Sequence, residues 1–160
     1  MTNQNKIVLL DIDDTMFNTA LLKETDQTKF RMYDEVHSAL EELAQVASLG
    51  IFSQGEIAFQ IKKLEETNIH NYFIKEHIHI VEDKLVSIQE TLKRYTNSGK
   101  IYIVEDRLDV LQMVKHFDPN IYTIWMKRGR NAEKQRVEVD YTADATARDL
   151  QEVVPIIRDL

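Results

Sequence analysis

Asp11 and Asp13, in Asp11-Ile12-Asp13-Asp14-Thr15, stand directly after the apolar run Ile7-Val8-Leu9-Leu10. That run reads as a buried strand, which places Asp11 at the strand's carboxyl end and Asp13 in the following loop. Open α/β sheets bind ligands at that edge. One carboxylate can act as a nucleophile while its neighbour handles the leaving-group proton, and a divalent cation between them would suppress their repulsion. This arrangement suits phosphoryl transfer. Acidic residues after a strand also form turns and helix caps, so the pair needs partners elsewhere in the chain.

Three further stretches offer them. Ile51-Phe52-Ser53-Gln54-Gly55 ends just before a helix starting near Glu56, so Ser53 and nearby N–H groups form an anion site, a helix cap, or both. Lys84, in Val81-Glu82-Asp83-Lys84-Leu85, precedes an amphipathic helix; it reads either as a solvated side chain or as an ammonium aimed at a phosphate and an aspartate. Ile101-Tyr102-Ile103-Val104 runs into Glu105-Asp106-Arg107-Leu108-Asp109. These acids either open a helix or hold a cation together with Asp11.

The elements that must position these residues alternate. Strands are expected at Ile7 to Leu10, Gly50 to Ser53, Ile78 to Val81, Lys100 to Val104 and Ile121 to Trp125, with a weaker one near Val137 to Thr142. Helical spacing joins Val36, Leu40, Leu43 and Ala47; Ile57, Ile61 and Leu64; Leu85, Ile88, Leu92 and Tyr95; and Leu150, Val153, Val154 and Ile157. This order predicts an α/β fold, a three-layer Rossmann-like parallel sheet with helices on both faces. Gly50, Gly55, Gly99 and Gly129 are expected at junctions between elements.

With 160 residues, 43% hydrophobic and 29% charged, residues 1–160 are expected to form a single domain. A formal charge of -7 argues against a general nucleic-acid binder. The lack of cysteine excludes disulfides and thiolate chemistry. With no signal-peptide pattern and no apolar run near the roughly 20 residues that cross a bilayer, a soluble cytoplasmic protein is the expectation.

An acid pair, a hydroxyl, a lysine and another acid, each at a strand end or helix start, resemble the four motifs of the haloacid dehalogenase-like hydrolases. The resemblance spans nearly the whole chain. Asn68-Ile69-His70-Asn71-Tyr72-Phe73 is similar to that family's stretch between its second and third motifs, and Ile121 to Trp125 to its fifth strand. The resemblance implies that Asp11 attacks phosphorus and becomes aspartyl-phosphate, while Asp13 protonates the leaving oxygen and then activates water. It further implies that Thr15 holds the loop, Ser53 binds a phosphoryl oxygen and Lys84 offsets charge on the phosphoryl group and Asp11. Mg²⁺ would be held by the Asp11 and Asp106 carboxylates and the Asp13 backbone carbonyl. A carboxylate at Asp13 favours phosphatase chemistry over dehalogenation within such a family.

Glu105 stands where the family commonly has glycine or aspartate, and Asp109 follows Asp106 by three residues where four is commoner. Glu105 is expected either at the metal's outer shell or in an ion pair with Arg107 or a neighbouring lysine. Neither interval between motifs holds a large cap domain, so residues 18–49 read as a minimal cap or helical segment, with Phe17, Leu21, Leu22, Phe30, Met32 and Tyr33 as core or rim. Such an open site admits phosphorylated small molecules or macromolecules, and leaves room for a covering second subunit as a homo-oligomer. Lys127-Arg128-Gly129-Arg130, with Lys134 and Arg136, reads as a solvated loop or a grip on an anionic leaving group. His77 and His79 read as structural, lacking a third ligand, and Trp125 reads as packing. The expected activity is Mg²⁺-dependent phosphate monoester hydrolysis. The alternatives are phosphoryl transfer to another acceptor, as in a phosphomutase, and a non-catalytic module of the same fold.

Overall fold

The computed structural model describes residues 5–20, 30–129 and 132–160. Strand β1 (Lys6–Leu10) lies between β2 (Ser48–Gln54) and β4 (Lys100–Glu105), in a six-stranded sheet completed by β3 (Phe73–Val81), β5 (Tyr122–Met126) and β6 (Ala145–Ala147). All pairings are parallel, in the order β3-β2-β1-β4-β5-β6. The chain therefore grows outward from β1 on one side and from β4 on the other. Their adjacent carboxyl ends form the crevice at which such sheets bind ligands.

Helices α1 (Val36–Val46), α2 (Ile57–Glu66), α3 (Lys84–Leu92), α4 (Leu108–Phe117), α5 (Ala132–Glu138) and α6 (Leu150–Asp159) flank the sheet. Alternation along β1 fills both faces: Val8 and Leu10 join the layer of α1 and α6, whereas Leu9 joins Ile88, Leu92 and Leu111 on the opposite layer. A central strand needs apolar residues at every position for this reason. Among the described residues, no helix is long and apolar enough to cross a membrane.

The expected fold class is the observed one, with four local corrections. The strand expected near Val137 to Thr142 is absent; Ala132–Glu138 is helical, and the last strand is Ala145–Ala147. Small residues there pair with β5 through Ile124 and Ala145, and it is this pairing that places the strand. Gly50 lies inside β2, where an added Cβ would stand 2.5 Å from the His77 carbonyl oxygen beside an irregular stretch of β2–β3 pairing. Helix α4 was not among the expected periodic segments. In α2 the inward face is Gln60, Lys63 and Leu64, leaving Ile57 62% exposed, so the stripe Ile57, Ile61 and Leu64 is rotated from its expected direction.

Within residues 18–49, α1 places Val36, Ala39, Leu40 and Leu43 in the core. Phe17 is fully buried, and Phe30, Met32 and Tyr33 pack against the core. Leu21, Leu22 and Arg130 lie outside the described residues.

Candidate active site

The Asp11 N–H donates to the Val104 carbonyl at 2.9 Å, carrying the β1–β4 ladder one residue further. Beyond it the chain turns sharply: Asp14 adopts φ 58, and its Oδ1 accepts from Thr19 N and Oγ1 at 3.2 and 2.7 Å. Asp tolerates this left-handed conformation because its short side chain bonds locally. Gly129 supports the turn from outside, with φ 84 and room for no side chain, since a Cβ would lie 2.6 Å from Asp14 Cβ. Thr15 is buried, with Oγ1 3.5 Å from Asp11 Oδ2.

Lys84 is the first residue of α3 and is 1% exposed. Its ammonium donates to Asp11 Oδ1 at 2.9 Å and to Glu105 Oε2. The capping of α3 falls to Asp83, which accepts from Val86 N, while Lys84 N donates to Gln54 Oε1 at 3.0 Å. The backbone at the start of α3 is thereby tied to the end of β2. Ser53 does not cap α2; Glu56 does, accepting from Ala58 N and Phe59 N. Ser53 is fully buried instead, and its Oγ accepts from Gln60 Nε2 at 3.2 Å.

The Asp11, Glu105 and Asp106 carboxylates converge, each offering an oxygen within 4.8 Å of the others. All three are buried, and one ammonium, Lys84, lies among them. Burial and the facing Glu105 push the Asp11 carboxyl up to about 6, against the pull of Lys84. Asp106 is pushed well above its usual value by burial, then by Glu105 and Asp11. Burial works against the charge on Glu105 as well, but Lys84 and hydrogen bonds outweigh it and hold that carboxyl below its usual value. Burial similarly opposes the Lys84 ammonium, and the two carboxylates beside it reverse the balance, raising its pKa. The negative excess is confined to an all-oxygen cluster, the donor chemistry a hard divalent cation requires, so the residues present fit Mg²⁺. Trp125 Nε1 donates to the Asp106 carbonyl at 2.9 Å and pins this end of β4.

Asp11, Asp13, Asp14, Gln54, Lys84, Glu105, Asp106 and Arg107 line a pocket of about 190 Å³. A larger cavity of about 620 Å³ adjoins the starts of α2 and α3, with Gly55, Ile57, Val81, Asp83 and Val86 among its lining. Over 96% of both chains the fold matches a candidate haloacid dehalogenase-like hydrolase from Burkholderia xenovorans, with TM-score 0.77 at 17% identity. A haloacid dehalogenase-like family hydrolase from Streptococcus pneumoniae matches over 98% of this chain and 99% of that one, with TM-score 0.71 at 14% identity. A D,D-heptose bisphosphate phosphatase from B. bronchiseptica, in complex with magnesium and phosphate, matches over 95% and 97%, with TM-score 0.66 at 15% identity.

The chain has the haloacid dehalogenase-like fold. No family model and no curated protein sequence matches it, so the likeness is one of three-dimensional structure.

Within this haloacid dehalogenase-like fold, Asp11, Lys84 and Asp106 meet at the crevice, Thr15 lies against Asp11, and Ser53 and Asp13 are joined through Gln60. Asp13's carboxylate stands apart from the Asp11–Glu105–Asp106 cluster: Oδ1 meets Lys63 Nζ at 2.5 Å and Oδ2 accepts from Gln60 Nε2 at 3.1 Å. Glu105 forms the lysine ion pair with Lys84, and Arg107 pairs with Asp109. Gln60 and Lys63 were not anticipated; their only sequence signal is a polar pair, three residues apart, on an otherwise amphipathic helix. Arg128 is not a solvated loop residue. Its guanidinium donates to the Thr15 carbonyl and to Glu35 Oε1 and stacks 3.6 Å from the Tyr33 ring centroid. Lys127 pairs with Glu133. His77 and His79 both meet the Tyr95 hydroxyl, at 3.2 and 2.5 Å, a structural arrangement.

Proposed function

We propose that the chain is a magnesium-dependent phosphatase that hydrolyses a phosphate monoester through an aspartyl-phosphate on Asp11. The observation that supports this most is the placement of Lys84: one buried ammonium touches the candidate nucleophile, Asp11, and a carboxylate of the acidic cluster. The resting charge of Asp11 is thus partly offset where an anionic substrate must approach.

Asp11 Oδ attacks phosphorus as the bond to the ester oxygen breaks, and Asp13 gives its proton to that oxygen, releasing the alcohol. In the second step a water attacks phosphorus, Asp13 takes the water's proton, and the phosphorus bond to Asp11 breaks. Ester and water become alcohol and phosphate, with both aspartates restored. Ser53 Oγ donates to a phosphoryl oxygen, and Lys84 balances the charge that gathers on the phosphoryl group and Asp11. Mg²⁺ would be held by Asp11 and Asp106, whose carboxylates converge with that of Glu105, and by the Asp13 carbonyl; when bound, the cation would supply positive charge to offset that of the phosphoryl group. Transfer to an acceptor other than water would use the same residues.

Turnover of p-nitrophenyl phosphate with Mg²⁺, with EDTA, and in Asp11→Asn tests the reading. Mg²⁺-dependent release of phosphate that disappears in the variant is expected; an inactive wild type, or an equally active variant, overturns it.

A further inference from the structure

Asp13 lies in a loop, and its carboxylate is about one-third exposed, yet both of its oxygens are engaged by one helix. Gln60 and Lys63 are three residues apart in α2 and so share a face. Both are 2% exposed, although glutamine and lysine are seldom so buried without a specific partner. The Lys63 ammonium lies 6.0, 6.0 and 4.9 Å from the ring centroids of Phe17, Phe30 and Phe59. The rings leave the ammonium one carboxylate among the described residues, Asp13 Oδ1. An ammonium fixed from behind in this way sets the orientation of the carboxylate it meets.

The orientation of the Gln60 amide is equally determined. Nε2 lies 3.1 Å from Asp13 Oδ2, 3.2 Å from Ser53 Oγ and 3.1 Å from the Gln54 carbonyl oxygen. A flipped amide would point its own oxygen at a carboxylate and a carbonyl, so nitrogen must face them. Ser53 Oγ accepts from Gln60, leaving the serine proton free to be donated elsewhere. Gly55 provides the space for this contact, since a Cβ there would stand 2.9 Å from Gln60 Nε2.

We propose that Gln60 and Lys63 are positioning residues for phosphoryl transfer: Lys63 orients Asp13 toward the leaving oxygen, and Gln60 directs the Ser53 hydroxyl toward a phosphoryl oxygen. This rests on the phosphatase reading. Lys63 acts through Asp13, so its loss is felt where proton donation matters, with ester leaving groups that depart poorly as anions. Gln60 acts through Ser53, so its loss weakens phosphate binding whatever the leaving group.

The test compares kcat/KM for p-nitrophenyl phosphate, whose leaving group needs little protonation, and an alkyl phosphate, whose leaving group needs it. This ratio reports steps through phosphorylation of Asp11. Lys63→Met is expected to lose roughly tenfold to 100-fold on the alkyl ester, part of the 10²–10⁴ that general acid–base catalysis contributes. Its loss on p-nitrophenyl phosphate is expected to be several-fold smaller, and Lys63→Arg should restore most of the alkyl activity. Lys63→Gln, which keeps a donor in the aromatic pocket, is the second variant should Lys63→Met fail to fold, with the same ordering of losses expected. Gln60→Leu should raise the inhibition constant of inorganic phosphate and lower both activities alike. Equal losses on both esters in the Lys63 variants, or unchanged phosphate inhibition in Gln60→Leu, overturn this inference while leaving the phosphatase reading intact. A wild type that turns over neither ester overturns both.

Discussion

Lys84 Nζ lies 2.9 Å from Asp11 Oδ1, although the residues are 73 positions apart in the chain. The contact closes the crevice between the carboxyl ends of β1 and β4 from the side of α3. Between the two residues the chain passes through β2, β3 and the helices that flank them, so the contact joins distant parts of the sequence.

Replacing Lys84 by Met should be costly. Two buried carboxylates, Asp11 and Glu105, would lose their shared ammonium. Removing one partner of a buried pair destabilises a fold by about 3–5 kcal/mol. Urea unfolding of Lys84→Met should show a loss of that order in EDTA and a smaller one with saturating Mg²⁺, because the cation takes over part of the charge balance.

Metal affinity should depend on pH. Asp11 is pushed up to about 6 by burial and Glu105, and a metal ligand must be deprotonated. Binding should weaken as pH falls through about 6 and release protons near that value. Calorimetric titration of Mg²⁺ in buffers of different ionisation enthalpy reads both effects.

Arg128 should be sensitive even to lysine. It spans Thr15, Glu35 and Tyr33 through a planar, forked guanidinium, a geometry that lysine lacks. Arg128→Lys is expected to lose about 1.5–3 kcal/mol of stability, the range for hydrogen bonds to charged groups. Looser support of the Asp11–Thr15 loop should lower kcat by as much as about 100-fold, the cost of an ångström-scale misplacement. Thermal melts and steady-state kinetics measure the two losses separately.

His79 should make stability fall in mild acid. Burial, with Arg94 and His77 nearby, lowers its pKa from 6.5 to about 4. The unfolded chain therefore binds this proton more readily than the folded one, and stability from the neutral ring is fully present above about 6.5 and lost as pH falls through about 4. Asp11, raised to about 6, contributes with the opposite sign below that pH, so the comparison must be a difference. Denaturation midpoints of wild type and His79→Gln should converge as pH drops from 7 to 4; parallel curves would contradict the assignment.

The β1 motif, the parallel sheet with helices on both faces and the residues Asp11, Lys84 and Asp106 as members of one site were legible because each follows from a local pattern: an apolar run ending in acids, strands alternating with helices, or a charged residue at a helix start. The α2 face was not legible. Periodicity assigns Ile57 inward, whereas the demand of Asp13 for partners turns Gln60 and Lys63 to the interior, a tertiary effect with no trace in hydrophobic spacing. Arg128 was misread for a similar reason. A basic run after a strand usually faces solvent, and nothing local reveals that Glu35 and Tyr33 lie beside it. The last strand was displaced because pairing with β5, rather than β-branched content, decides where it forms.

The most direct measurement of the central claim is chemical trapping of the phosphoenzyme. Wild type mixed with Mg²⁺ and an excess of p-nitrophenyl phosphate, quenched in acid and digested, should yield a phosphorylated peptide that contains Asp11, is released by hydroxylamine and is missing from Asp11→Asn. Turnover with no phosphopeptide at Asp11, or with the phosphoryl group on another residue, would contradict the account.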